Sequence, residues 1–127
     1  MTAQQPTAEE LLQQMRAGMG TVPSAIEKSV RADPGLIYEH MRSRGYAMPA
    51  PGAFDEEVRT LIYLAAALAG SSPACVRAMA DRIRVLKIAP EKVREVLHIV
   101  RFAMATKIIG DAEPVFDALN ESAVVSR

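Results

Sequence analysis

Cysteine is almost absent from this chain of 127 residues, and the single Cys75 cannot form a disulfide within the molecule. A lone thiol suits a reducing compartment, so a cytoplasmic location is expected. Tryptophan is missing and aromatic residues make up only 5% of the chain, although half of it is hydrophobic. That apolar content is Ala, Val, Leu, Ile and Met, which suits close-packed helices better than an aromatic-rich sheet. A surplus of either charge is also lacking: 15 basic residues balance 15 acidic ones, and they are interspersed. Phosphate contact needs a surplus of Lys and Arg, so no nucleic-acid partner is expected. The longest purely apolar run, Leu61 to Ala69, has nine residues. A bilayer core needs about 20, so no membrane span is expected. Met1 to Gln14 is polar and acidic, without the basic and apolar regions of a signal peptide. There is no Gly-rich phosphate loop and no His/Cys/Asp cluster at metal-ligand spacing, His40 and His98 being far apart. Neither a metal nor a cofactor is therefore expected.

What the chain does have is dense helix punctuation. Thr7 and Glu10 fit a capping box for a helix to Arg16, ended near Gly18 and Gly20. Ser24 and Glu27 repeat the pattern for a short helix to about Arg31. Asp33 and Pro34 open a third helix, which Gly45 is expected to end. Residues 46–53 hold Pro49, Pro51 and Gly52 and read as a loop. Asp55 caps a helix from Glu56 to Ala69, Ser72 and Pro73 begin one to about Lys87, and Pro90 begins the longest, to about Ile109. A last helix covers roughly Glu113 to Glu121, and the tail after Ser122 is expected to fray. No segment keeps a period of two, so no strands are expected. The fold class is all-α, in one domain spanning 1–127.

Two of these helices are too apolar for a monomer's surface. Val93, Val96, Leu97, Val100 and Met104 form one stripe, while Ile99, Phe102 and Ile109 lie on the opposite side. The run from Leu61 to Ala69 is apolar all round. Helices of this kind are normally buried on both sides, which a domain this small achieves by associating with copies of itself. A homo-oligomer is expected.

The segment from Asp55 to Cys75 carries a charged helix start, then Leu61-Ile-Tyr-Leu-Ala-Ala-Ala, then a turn into the Cys75 helix. Ala89-Pro-Glu-Lys-Val-Arg-Glu-Val-Leu97 follows as an acidic helix start with an apolar run, and Ala32 to His40 precedes it all. In this order and spacing the chain resembles the carboxymuconolactone decarboxylase and alkylhydroperoxidase D superfamily. The resemblance covers about residues 24–120 and leaves 1–23 as an N-terminal extension. It implies an alkylhydroperoxidase-D-like bundle of about six helices, assembled as a trimer or hexamer, and a peroxidase-related, antioxidant setting. Enzymes of that superfamily use a Cys-x-x-Cys pair, a His one turn later and an upstream Glu. Here the second cysteine falls on Cys75, the first on Ser72, the His on Met79 and the Glu on Thr60.

The departures have direct consequences. Ser72 cannot form a disulfide with Cys75, and neither Thr60 nor Met79 exchanges protons at neutral pH. Ser72 reads as an N-cap with Pro73 in the first turn. Cys75 sits near a helix start, where the dipole favours a thiolate, so one-cysteine chemistry remains open beside the role of a packed, poorly reactive thiol. Arg94, His98 and Arg101 share one side of the long helix and could line a decarboxylase-like pocket or simply face solvent. Tyr38, Tyr46 and Tyr63 could add a hydroxyl to such a pocket, but Tyr63, within an apolar helix, reads as core, and Arg77, Arg82 and Arg84 read as the polar face of the Cys75 helix. Three functions stay open: a divergent member without two-cysteine redox activity that binds a small molecule; an enzyme acting through Cys75 as a peroxidase or through His98 and Arg101 as a decarboxylase; and a helical module that binds a partner.

Overall fold

The Thr7 hydroxyl accepts the Glu10 amide at 3.2 Å while the Glu10 carboxylate accepts the Thr7 amide at 2.7 Å. Two amide groups that the first turn leaves unpaired are thereby satisfied, and α1 (Ala8–Met19) begins. Six further helices follow: α2 (Ser24–Ala32), α3 (Gly35–Ala47), α4 (Glu56–Ala69), α5 (Pro73–Leu86), α6 (Pro90–Asp111) and α7 (Glu113–Val125). These come from a computed structural model that describes residues 3–125, with the side chains of 3–122. No strand occurs among the described residues. Among the described residues the all-α class stands, with seven helices rather than about six.

Local chemistry explains most boundaries. Asp55 accepts the Val58 amide at 2.8 Å to start α4. Gly20 ends α1 with φ of 81°, a conformation a side chain would strain. Asp33 accepts the Gly35 amide at 3.1 Å at the start of α3. Two expectations need correction. Ser24 does not cap α2: Pro23 holds that position, and Glu27 pairs instead with Arg16 at 2.6 Å. Gly45 does not end α3, which continues to Ala47, since a single glycine costs a helix only about 1 kcal/mol. α7 runs past Glu121 to Val125; the end of the tail expected to fray lies outside the described residues.

The core is divided. Leu11, Leu12 and Met15 of α1 pack with Val30 of α2 and Ile37 of α3, and Ile37 is 1% exposed. Leu64 of α4 packs with Ala78 and Met79 of α5, joined by Val93 and Val96 of α6. Met19 packs against both clusters. α1 supplies three of the five buried residues of the first cluster. The stripe at 11, 12, 15 and 19 follows the helical period and turns one face inward.

Candidate functional site

α4 and α5 pack more extensively on each other than any other pair of helices, α1 packs on α5, and α3 packs on α1. A cavity of about 430 Å³ lies where the two clusters meet. Its apolar walls come from Met15 and Met19 of α1, Ile26 of α2, Met48 and, on α5, Ala78 and Met79. Its polar groups come from three helices: His40 and Arg44 on α3, Glu56, Arg59, Thr60 and Tyr63 on α4, and Cys75 and Arg82 on α5.

Helical spacing puts them there. On α4, Glu56, Arg59, Thr60 and Tyr63 recur at three and four residues and so share a face. On α5, Cys75, Ala78, Met79 and Arg82 do the same. The facing stripes bring Tyr63 against Cys75, with the phenolic oxygen 3.5 Å from Sγ. Tyr63 is thus not simply core, as its apolar neighbours suggested; its hydroxyl finds a partner across the helix pair.

The thiol of Cys75 is held below its ordinary pKa, first by the Ser72 hydroxyl and then by the Tyr63 hydroxyl, both hydrogen-bonded to it; partial burial opposes them. Tyr63 is held above its ordinary value by the same bond to Cys75, then by burial and by the sulfur's charge, with Arg44 opposing. Either group can donate in this pair; once Cys75 is ionised the phenol must donate, since a thiolate carries no proton. Ser72 occupies the N-cap position of α5 but makes no capping hydrogen bond.

At another part of the wall, Glu56 lies between two guanidinium groups. Arg59 Nη1 is 3.2 Å from one carboxylate oxygen and Arg82 Nη2 is 3.1 Å from the other. Arg82 also donates to the Gly18 carbonyl at 2.6 Å, tying α5 to the end of α1. The two arginine side chains are only 12% and 19% exposed. Gly52 is required beside them, since a Cβ there would lie 2.5 Å from Arg59 Nη2 and 2.7 Å from the Pro49 carbonyl. One carboxylate faces two largely sheltered cations, with Arg44 a third at the cavity, so the site has a positive balance and spare donors.

Of the residues singled out from sequence, the cavity gathers Cys75, Thr60 and Met79, and Ser72 adjoins it through the thiol. Thr60 is buried, its hydroxyl donating to the Glu56 carbonyl at 2.8 Å. Arg94, His98 and Arg101 are exposed on α6 and stand outside the cavity within one chain, because α6 turns Val93 and Val96 toward α4 and α5. Missed from sequence were Arg59, Arg82, Arg44 and His40, and Tyr63 reads there as core. A signal existed for two of them: Arg82 extends the stripe of Cys75 and Met79, and Arg59 lies one turn before Tyr63.

Among the described residues no cluster of His, Cys, Asp and Glu could hold a metal, and no helix is long and apolar enough to cross a membrane. Fold and site together define an all-helical protein with an apolar, cysteine-bearing cavity whose polar rim is cationic. Neither a protein-family model nor a curated protein matches the sequence.

Proposed function

We propose that the protein is a divergent carboxymuconolactone decarboxylase or alkylhydroperoxidase-D-like protein that binds a small amphipathic anion and works as a homo-oligomer, a trimer or hexamer by resemblance. The observation that carries the ligand reading is the cavity. Its volume of about 430 Å³ falls within the size range of small-molecule sites, and its apolar walls with a few converging polar groups have the usual composition of one. The charge balance of Arg44, Arg59 and Arg82 against Glu56 selects an acid head, and the methionine-rich wall selects a flexible apolar body. The lone thiol fits a reducing compartment such as the cytoplasm. The test compares octanoate, octanol and octylamine by calorimetry and thermal shift. Octanoate is expected to bind and stabilise, octanol weakly, octylamine not at all. Equal binding of all three, or of none, would reject the reading.

A second reading is supported by the environment of Cys75. A thiolate at a helix start, reached from a cavity and hydrogen-bonded by Ser72 and Tyr63, has the features of a reactive cysteine. With a hydroperoxide, the thiolate would attack the terminal oxygen, the O–O bond would break, and the sulfur would become a sulfenic acid as alkoxide leaves with a proton from solvent or Tyr63. Two equivalents of an external thiol would then restore Cys75, giving a disulfide of that thiol and water. Mass spectrometry after brief peroxide treatment would find one added oxygen on Cys75; an unmodified Cys75 would end this reading. The decarboxylase alternative has less support, since His98 and Arg101 lie outside the cavity.

A further inference from the structure

α6 has 22 residues, which makes it about 33 Å long. Its first half is anchored by Val93 and Val96. From Arg101 to Asp111 every residue is exposed, and α7, which packs chiefly on α6, is exposed from Glu113 to Ser122. The exposed side chains include Phe102, at 74%, together with Ile108, Ile109, Phe116 and Leu119. Scattered apolar residues on a surface need no explanation, but a contiguous arm of them does.

The chain also exposes more surface than a compact one of its mass. A compact monomer of 13.8 kDa exposes about 6,600 Å². This chain exposes 9637 Å². The surplus of about 3,000 Å² per chain is several times the roughly 800 Å² per partner of a standard interface, enough for the large contacts of obligate assemblies.

We infer that the arm formed by the second half of α6 and by α7 is the interface through which copies of this chain assemble, each arm packing against another copy. This rests on the assembly proposed above and is independent of what the cavity binds. A second copy fits better than a lipid surface. Asp111, Glu113, Asp117 and Glu121 outnumber Arg101 and Lys107 along the arm, whereas helices that lie on anionic membranes carry Lys and Arg. The chain also carries further apolar surface for an arm to meet, in Val58 and Ile62 on α4 and Leu97 on α6, all exposed. A symmetric contact requires only that arm and receiving surface both exist on one chain.

The test uses the full chain. Light scattering at micromolar concentration should report more than one chain per particle, and the pair Phe102→Glu and Ile109→Glu should reduce it to monomers. A wild-type monomer, free or bound to neutral phosphatidylcholine vesicles, would overturn the inference and the assembly with it. An oligomer unchanged by both substitutions would overturn only the placement of the interface. Because the variant arm could fail to fold, hydroxyl-radical footprinting of the wild type supplies an independent reading. Relative to the urea-unfolded chain, Phe102 and Phe116 should be protected about fivefold or more, as buried interface centres are, while Tyr46, 89% exposed on α3, should not. Phe102 labelled as freely as Tyr46 would overturn the inference.

Discussion

The Tyr63 hydroxyl lies 3.5 Å from Cys75 Sγ, and the bond lowers the pKa of one group while raising that of the other. Tyr63→Phe removes a donor to the thiolate, and Ser72→Ala removes the stronger one. Each is expected to move the thiol pKa back up toward its ordinary value, Ser72→Ala further. The measurement is the rate of alkylation by iodoacetamide against pH. Profiles that coincide with wild type would show that neither hydroxyl serves the sulfur.

The same shift makes stability depend on pH. A group whose folded pKa is depressed contributes stability above its unfolded value and loses it as pH falls through the folded value. Cys75 should therefore stabilise the wild type relative to Cys75→Ser more at pH 9 than at pH 6. The raised Tyr63 opposes this only at more alkaline pH, since its contribution is lost as pH rises through its folded pKa. Urea unfolding of the two proteins at both values measures the gap; a gap that shrinks as pH rises would contradict the assignment.

Ile37 joins α3 to α1 and α2. Ile37→Ala should destabilise by about 2–5 kcal/mol, the range for buried aliphatic side chains. Removal of residues 1–23 should be more damaging still, because Leu11, Leu12 and Met15 leave with it. Denaturant titration checks the first, and loss of the cooperative thermal transition checks the second. A truncated chain that melts like the whole would return α1 to the status of an appendage.

Much of the fold was legible because helix ends are written locally. Thr7 with Glu10, Asp55, Gly70, Pro73 and Pro90 each act within a few residues, and each marks a boundary that the structure keeps. The place of α1 was less legible, since its inward stripe is narrow and sits among Gln and Glu. The candidate site was half legible. Cys75 announces itself by being alone. Tyr63 reads as core until the crossing of α4 and α5 sets its hydroxyl against the sulfur, and Arg82 reads as a solvated charge until Glu56 and the end of α1 meet it. These relationships depend on which faces meet, and no single helix encodes that.

Gly52 tests the support of the cationic rim. In Gly52→Ala the new methyl group meets the Pro49 carbonyl and the end of Arg59. Arg59 can swing aside, but the backbone carbonyl cannot move without shifting the loop. A loss of about 1–3 kcal/mol is expected, as for other overpacked sites. Octanoate binding should weaken with it, because the displaced guanidinium leaves the cavity wall. Calorimetry on the variant measures both, and unchanged affinity would detach Arg59 from the ligand.

Glu56 supplies the sharpest test of what the cavity selects. Its carboxylate is the partner of both Arg59 and Arg82, and half of its side chain is exposed. In Glu56→Gln the shape is kept, but two sheltered guanidinium groups lose their common counter-charge. With solvent screening the free protein should lose only about 1 kcal/mol, near the upper end for exposed pairs. The freed arginines then present their donors to whatever anion enters. Octanoate should bind the variant more tightly than wild type, and should raise its melting temperature by more, even though the unliganded variant melts lower. Added chloride or phosphate should mask part of the gain, since these ions compete for the same donors. If the substitution instead weakens octanoate in proportion to the lost stability, Glu56 merely supports the wall, and the selection of an acid head by the arginines is disproved.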